Sequence, residues 1–119
     1  MNVHICIFIG QLRLVGGSYP TEGRVEIYMQ SEWGTICNDN FGMEEATVVC
    51  RQLGYEQVIR FPSANQANSF GQGSGRIWLS EVDCTGTEDS ILQCSYTADN
   101  FCGHDEDVGV VCGGMYRYM

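Results

Sequence analysis

The 119-residue chain carries fifteen acidic residues against six arginines and no lysine, for a formal net charge of −9. That field excludes a binder that tracks nucleic-acid phosphates, which needs a basic footprint, and the length holds one domain and not two. Seven cysteines without a Cys-x-x-Cys pair point to disulfides in an oxidising compartment, in preference to a zinc ribbon or a dithiol redox motif.

Residues 1–10 contain a short apolar run with no basic residue before it, so they make a poor signal peptide. A truncated leader, an appended remnant and an extra strand all remain open for them, and Cys6 stays unassigned. No apolar run approaches the ~20 residues that a membrane-crossing helix needs, so no membrane insertion of this chain is expected. Gln11–Val15 alternates polar and apolar, as a half-buried strand does. Gly16-Gly17 and Tyr19-Pro20 mark a turn. Arg24–Gln30 alternates again, with Val25, Ile27 and Met29 on one face, and Trp33–Cys37 reads as a third strand.

The period changes after Gly42. Ala46, Val49, Cys50 and Leu53 recur at helical spacing, Glu44 and Glu45 complement the dipole at the start, and Gly54 ends the element. This predicts a helix over 43–53. Residues 62–76, rich in Ser, Asn, Gln and Gly, read as a long loop. Arg76–Val82 reads as a strand leading into Cys84. The stretch from Thr85 to Glu106 is turn-rich, with one helical turn near Asp89–Gln93, and Val108–Cys112 is a buried closing strand. The expected fold class is α+β: a small disulfide-rich domain with a curved, mainly antiparallel sheet cradling one main helix. The domain is placed at 11–113, with 114–119 as a short tail.

Nine strings carry an identity in this order: Leu12-Arg-Leu-Val-Gly-Gly17, Gly23-Arg-Val-Glu-Ile27, Trp33-Gly-Thr-Ile-Cys37, Val48-Val-Cys-Arg-Gln-Leu-Gly54, Phe70-Gly-Gln-Gly-Ser-Gly75, Ile77-Trp-Leu79, Cys84-Thr-Gly-Thr-Glu88, Leu92-Gln-Cys94 and Glu106-Asp-Val-Gly-Val-Val-Cys112. Together they resemble a scavenger receptor cysteine-rich domain over about residues 11–113. Neither extra cysteine of the eight-cysteine group is present near Thr21 or at Tyr55, so the resemblance is to the six-cysteine group. It implies the pairs Cys37–Cys102, Cys50–Cys112 and Cys84–Cys94; sequence alone leaves fifteen pairings of six cysteines open. Cys6 falls outside that pattern and is either free or paired between chains.

The resemblance also implies a calcium site beside the Cys37–Cys102 bridge, with Asn38, Asp39 and Glu106 at the ligand positions. Asn38 supplies an amide oxygen and no charge; Asp105 and Asp107 stand near enough in sequence to compensate in part. The alternative is a solvated acidic turn. A second, weaker cation site falls on Glu45 and Glu81, where Phe101 stands in place of an oxygen ligand. No organic cofactor is implied.

With only His4 and His104 in the chain, and six cysteines expected to be oxidised, no catalytic pair is read and the chain is not expected to be an enzyme. The function implied is extracellular ligand binding, either secreted or on a membrane protein's ectodomain. Expected ligands are polyanionic, microbial or modified-self, bound with calcium's help. Arg13, Arg24, Arg60 and Arg76 could add bidentate contacts to anionic groups. The alternative function is a protein–protein adhesion or spacer module anchored by Phe61, Phe70, Tyr96 and Phe101.

Overall fold

The computed structural model describes residues 8–98 and 101–114. The readings made for Cys6, for residues 1–7 and for 115–119 lie outside the described residues. Seven strands and one helix form a single mixed sheet with the helix packed on one face. The strands are β1 (Leu12–Gly16), β2 (Glu22–Met29), β3 (Glu32–Ile36), β4 (Gln57–Arg60), β5 (Ile77–Asp83), β6 (Ser95–Thr97) and β7 (Gly109–Gly113); the helix α1 spans Met43–Gln52.

β2 is the centre. β1 takes one of its edges, pairing Leu12 with Ile27 through Gly16 with Gly23. Along the other edge β3 and β7 follow one another, β3 against Glu26–Met29 and β7 against Glu22–Arg24. Val108 stitches the seam where they meet. Its carbonyl accepts the N–H of Val25 and its own N–H donates to Ile36. All pairings are antiparallel except that of β3 with β5, which is parallel. β4 lies at one edge beside β7 and β6 at the other beside β5.

The period-2 pattern puts Val25 and Ile27 fully inside, against Ile36, Leu79, Val82, Val108 and Val110. α1 covers this face with Ala46, Val48, Val49 and Cys50. Glu45, at the third helical position, accepts the N–H of Gly42 at 2.7 Å, half of a capping box that satisfies an orphan donor at the helix start. Gly54 closes the helix at φ +99°, a conformation that only glycine adopts without cost.

Three disulfides join Cys37 to Cys102, Cys50 to Cys112 and Cys84 to Cys94. Cys50 ties the helix's inner face to β7. Chain-entropy arithmetic gives roughly 4 kcal/mol for each of the two bridges that close long loops and nearer 3 for the short one. Loop 61–76 has no regular structure but is tied back to distant elements: the Gly109 N–H donates to the Pro62 carbonyl, the Ala64 N–H to the Asp107 carbonyl and the Thr35 N–H to the Arg76 carbonyl.

Three elements were missing from the sequence reading: β4, β6 and a 3-10 turn over His104–Glu106. β4 and β6 are short edge strands whose ladder partners, β7 and β5, lie far along the chain or across a bulge, so local alternation carries little signal for them.

Candidate functional site

β3 delivers Cys37 to the end of the sheet, and the chain then turns through Asn38 and Asp39 before entering α1. On the facing side, Cys102 leads into the 3-10 turn His104–Glu106, which runs into β7. The Cys37–Cys102 bridge and two backbone links hold these turns together. Cys37 pairs with Asp107 as an isolated bridge, and the Asn38 N–H donates to the Glu106 carbonyl at 2.9 Å.

As a result a carboxylate oxygen of Asp39 and one of Glu106 lie within 4.8 Å of each other and of both disulfide sulfurs. Asp39 is exposed and Glu106 half-buried. The sulfurs are oxidised and are not thiolate ligands. The donor set is therefore oxygen only, which suits a hard cation with bonds of ~2.3–2.6 Å. Asn38 is half-buried beside Cys37, with its Oδ1 4.0 Å from the sulfur.

Asp107 is not among the grouped side chains of this cluster. Its side chain is fully buried and turned to the opposite side, where Oδ2 accepts the Gly73 N–H at 2.7 Å and meets His104 Nδ1 at 2.8 Å. His104 Nε2 lies 3.0 Å from the Gly75 carbonyl. Burial works against the imidazolium. The bonds to Asp107 and Gly75 and the charge of Asp107 outweigh it and hold the His104 pKa above its usual 6.5, with Arg24 opposing. Asp105 is exposed in the same turn.

Glu45 also has another task. It is 4% exposed; while Oε1 caps α1, Oε2 accepts the Cys84 N–H at 2.8 Å, so both oxygens are committed to backbone donors. Glu81 is exposed, at a left-handed φ of +51°, on the rim of an open cleft of about 850 Å³ shared with Glu44, Asp83 and Tyr96. Among the described residues, the groups of three or more close ligand-type side chains are the Asp39–Glu106 cluster and Glu88 with the Cys84–Cys94 bridge. Glu45 and Glu81 belong to neither.

The arginines are largely engaged inside the molecule. Arg13 reaches Glu26 Oε1 through Nε at 2.9 Å and Nη2 at 2.7 Å, and lies 4.1 Å over the Trp33 ring. Arg24 bonds Glu26 Oε2 at 3.0 Å and the Phe70 carbonyl at 3.1 Å, with a side chain only 13% exposed. Sequence reasoning missed Glu26 as the buried carboxylate that takes both, because it sits mid-strand on the face opposite Val25 and Ile27. Arg60 donates to the Asn68 carbonyl at 3.0 Å. Arg76 is exposed and stacks over Trp78 at 5.2 Å.

Of the loop aromatics, Phe61 packs on the core and faces Phe41, Phe70 is half-buried, Tyr96 is 38% exposed and Phe101 is 98% exposed. Glu88, whose carboxylate accepts the N–H groups of Thr85 and Gly86, has its pKa drawn from 4.5 to about 2, chiefly by the Thr85 bond.

A family model described as the scavenger receptor cysteine-rich domain matches residues 15–113. Human lysyl oxidase homolog 4 is 51% identical over 105 residues, covering 86% of this chain and 14% of that protein. Macrophage scavenger receptor types I and II of Mus musculus is 48% identical over 103 residues, covering 85% of this chain and 22% of that protein. The chain thus spans a small part of the length of either relative. Among solved structures, the third such domain of murine neurotrypsin superposes with a TM-score of 0.79 at 39% identity, covering 88% of this chain and 97% of that one.

Proposed function

The chain belongs to the scavenger receptor cysteine-rich domain family, and from that premise we propose that it is an extracellular, non-catalytic binding module whose Asp39–Glu106 pair holds calcium for contact with anionic ligands. The observation that carries this reading is the meeting of those two carboxylates, from turns far apart in sequence, within 4.8 Å at a disulfide. When bound there, calcium supplies positive charge and open coordination positions for phosphate, sulfate or carboxylate.

The chain's own residues hold and aim that site. Cys37–Cys102 clamps the two turns, the Asn38–Glu106 backbone bond sets their spacing, and exposed Asp39 leaves one side open to a partner. With a net charge of −9, capture of a polyanion without the cation is opposed by the domain's own field. The tying of Arg13, Arg24 and Arg60 to internal acceptors strengthens that argument. Arg76 is the arginine best placed to add a contact.

Three disulfides favour an oxidising, extracellular setting, and they leave no free thiol among the described cysteines to act as a nucleophile. Among the described residues no helix is long and apolar enough to cross a membrane. Calorimetry tests the site. Wild type should bind calcium with a Kd on the order of 10⁻⁴–10⁻³ M, the range of extracellular modules, and Asp39→Ala and Glu106→Ala should abolish the heat. Binding to sulfated dextran should vanish in EDTA; retention there would refute the cation-bridge reading.

The second reading, a protein–protein adhesion or spacer module, draws on one observation. Phe101 is 98% exposed directly beside Cys102, an aromatic whose burial would reward a protein partner. Loss of protein-partner binding in Phe101→Ser, with Asp39→Ala silent, would favour it.

A further inference from the structure

Glu106 shares its one-turn 3-10 helix with His104, and Asp107 follows directly. Where Glu106 meets Asp39, His104 and Asp107 reach to the other side, onto the loop that crosses the sheet before β5. His104 Nε2 bonds the Gly75 carbonyl at 3.0 Å, Asp107 Oδ2 accepts the Gly73 N–H at 2.7 Å, and the two side chains bond each other at 2.8 Å. The loop lies flat on this face. A Cβ on Gly73 would fall 2.6 Å from Thr35 Cγ2, 3.1 Å from Arg24 Nε and 3.2 Å from Asp107 Oδ2. Arg24 also donates to the Phe70 and Gly71 carbonyls at 3.1 and 3.4 Å, pinning the loop's near end. The turn that carries Glu106 is therefore clamped from two directions, by residues 73–75 on one side and by the Asn38 N–H on the other.

We propose that His104 and Asp107 are positioning residues for the cation site, and that they couple it to residues 73–75. The proposal rests on the calcium reading of Asp39 and Glu106. A cation drawing Glu106 toward Asp39 fixes the 3-10 turn, and a fixed turn holds its two anchors on Gly73 and Gly75. By linkage the effect runs both ways: releasing the loop weakens cation binding. Neither His104 nor Asp107 touches the cation; each acts through Glu106.

The experiment uses the intact domain with calcium alone as the probe, at fixed pH. Amide hydrogen exchange of Gly73 is measured with and without calcium, and calcium affinity is measured for wild type, His104→Ala and His104→Gln. His104 has a side chain 22% exposed, so its removal leaves no deep cavity, and melting in EDTA verifies folding. Calcium should slow Gly73 exchange. His104→Ala should weaken calcium binding about fivefold or more, the low end of typical coupling, and His104→Gln, which keeps a donor for the Gly75 carbonyl, should recover part of it. If wild type binds calcium while Gly73 exchange is unchanged, or if His104→Ala binds within twofold of wild type, the coupling is refuted and the calcium site stands. If wild type binds no calcium, both fall. Should His104→Ala fail to fold, the Gly73 exchange in wild type decides alone.

Discussion

Replacing Glu45 with glutamine separates a structural strut from a cation ligand. The carboxylate is 4% exposed and accepts two backbone N–H groups, from Gly42 at 2.7 Å and from Cys84 at 2.8 Å. It thereby joins the start of α1 to the end of β5. Hydrogen bonds to a charged acceptor contribute about 1.5–3 kcal/mol each, and a buried donor left without a partner costs about 1–3 kcal/mol. Glutamine keeps the shape and one acceptor, but its NH2 must face one of the two N–H groups. Glu45→Gln should therefore lose one charge-assisted bond and orphan one donor, for a net of about 2–4 kcal/mol. Urea unfolding with the disulfides intact measures this directly, and Tm should fall by about 10 °C or more. Exposed Glu44→Gln is the control, expected within about 0.5 kcal/mol of wild type. The loss should be the same in EDTA and in calcium. A change below about 1 kcal/mol, or one that appears only with calcium present, would refute the strut and return Glu45 to the cation ligands.

Glu88 should titrate by NMR with a midpoint near 2. Because its pKa is lowered on folding, its contribution to stability is complete above about pH 4.5 and declines as pH falls through about 2. A midpoint at the ordinary value would show that the Thr85 and Gly86 bonds do not persist in solution. His104 has the opposite sign. Its raised pKa makes its contribution complete below pH 6.5 and lost as pH rises through the folded value, so in EDTA the difference in Tm between wild type and His104→Ala should shrink with rising pH. A difference independent of pH would remove the charged form facing Asp107, Gly75 and Arg24 from the account. Gly34→Ala should cost about 1–3 kcal/mol by overpacking, because a Cβ there would meet the Trp78 ring and lie 2.5 Å from the Arg76 carbonyl. Wild-type stability by urea unfolding would show that this contact gives way.

The strands around β2 and the single helix were legible because their signals are local. Val25 and Ile27 alternate at period 2, Ala46, Val49 and Cys50 recur at helical spacing, and Gly54 stops the helix within a few residues of them. β4 escaped notice because its apolar residues, Val58 and Ile59, are adjacent and not alternating, and because Ile59 is 62% exposed. The candidate site was legible in part. Asp39 and Glu106 came from the family resemblance, while the bonding of Asp107 to His104 and Gly73 was not read from the sequence. The Gly73 N–H that Asp107 accepts lies 34 residues away in the chain, and no local pattern announces that contact.

The chain's composition and patterning by themselves determined that it is one acidic, cysteine-rich α+β domain with a central alternating strand and one amphipathic helix. Those properties depend on neighbours within a few residues, and charge and cysteine count are properties of the whole chain. Only the tertiary structure decided which charged groups are free. In the sequence Glu45 reads as a helix-start charge and cation ligand, Asp107 as added charge for the cation site, and Arg13 and Arg24 as ligand contacts, yet each is spent on a backbone group or a partner up to dozens of residues away. A carboxylate's role depends on what the fold places within 3 Å of it, and no local pattern encodes that distance.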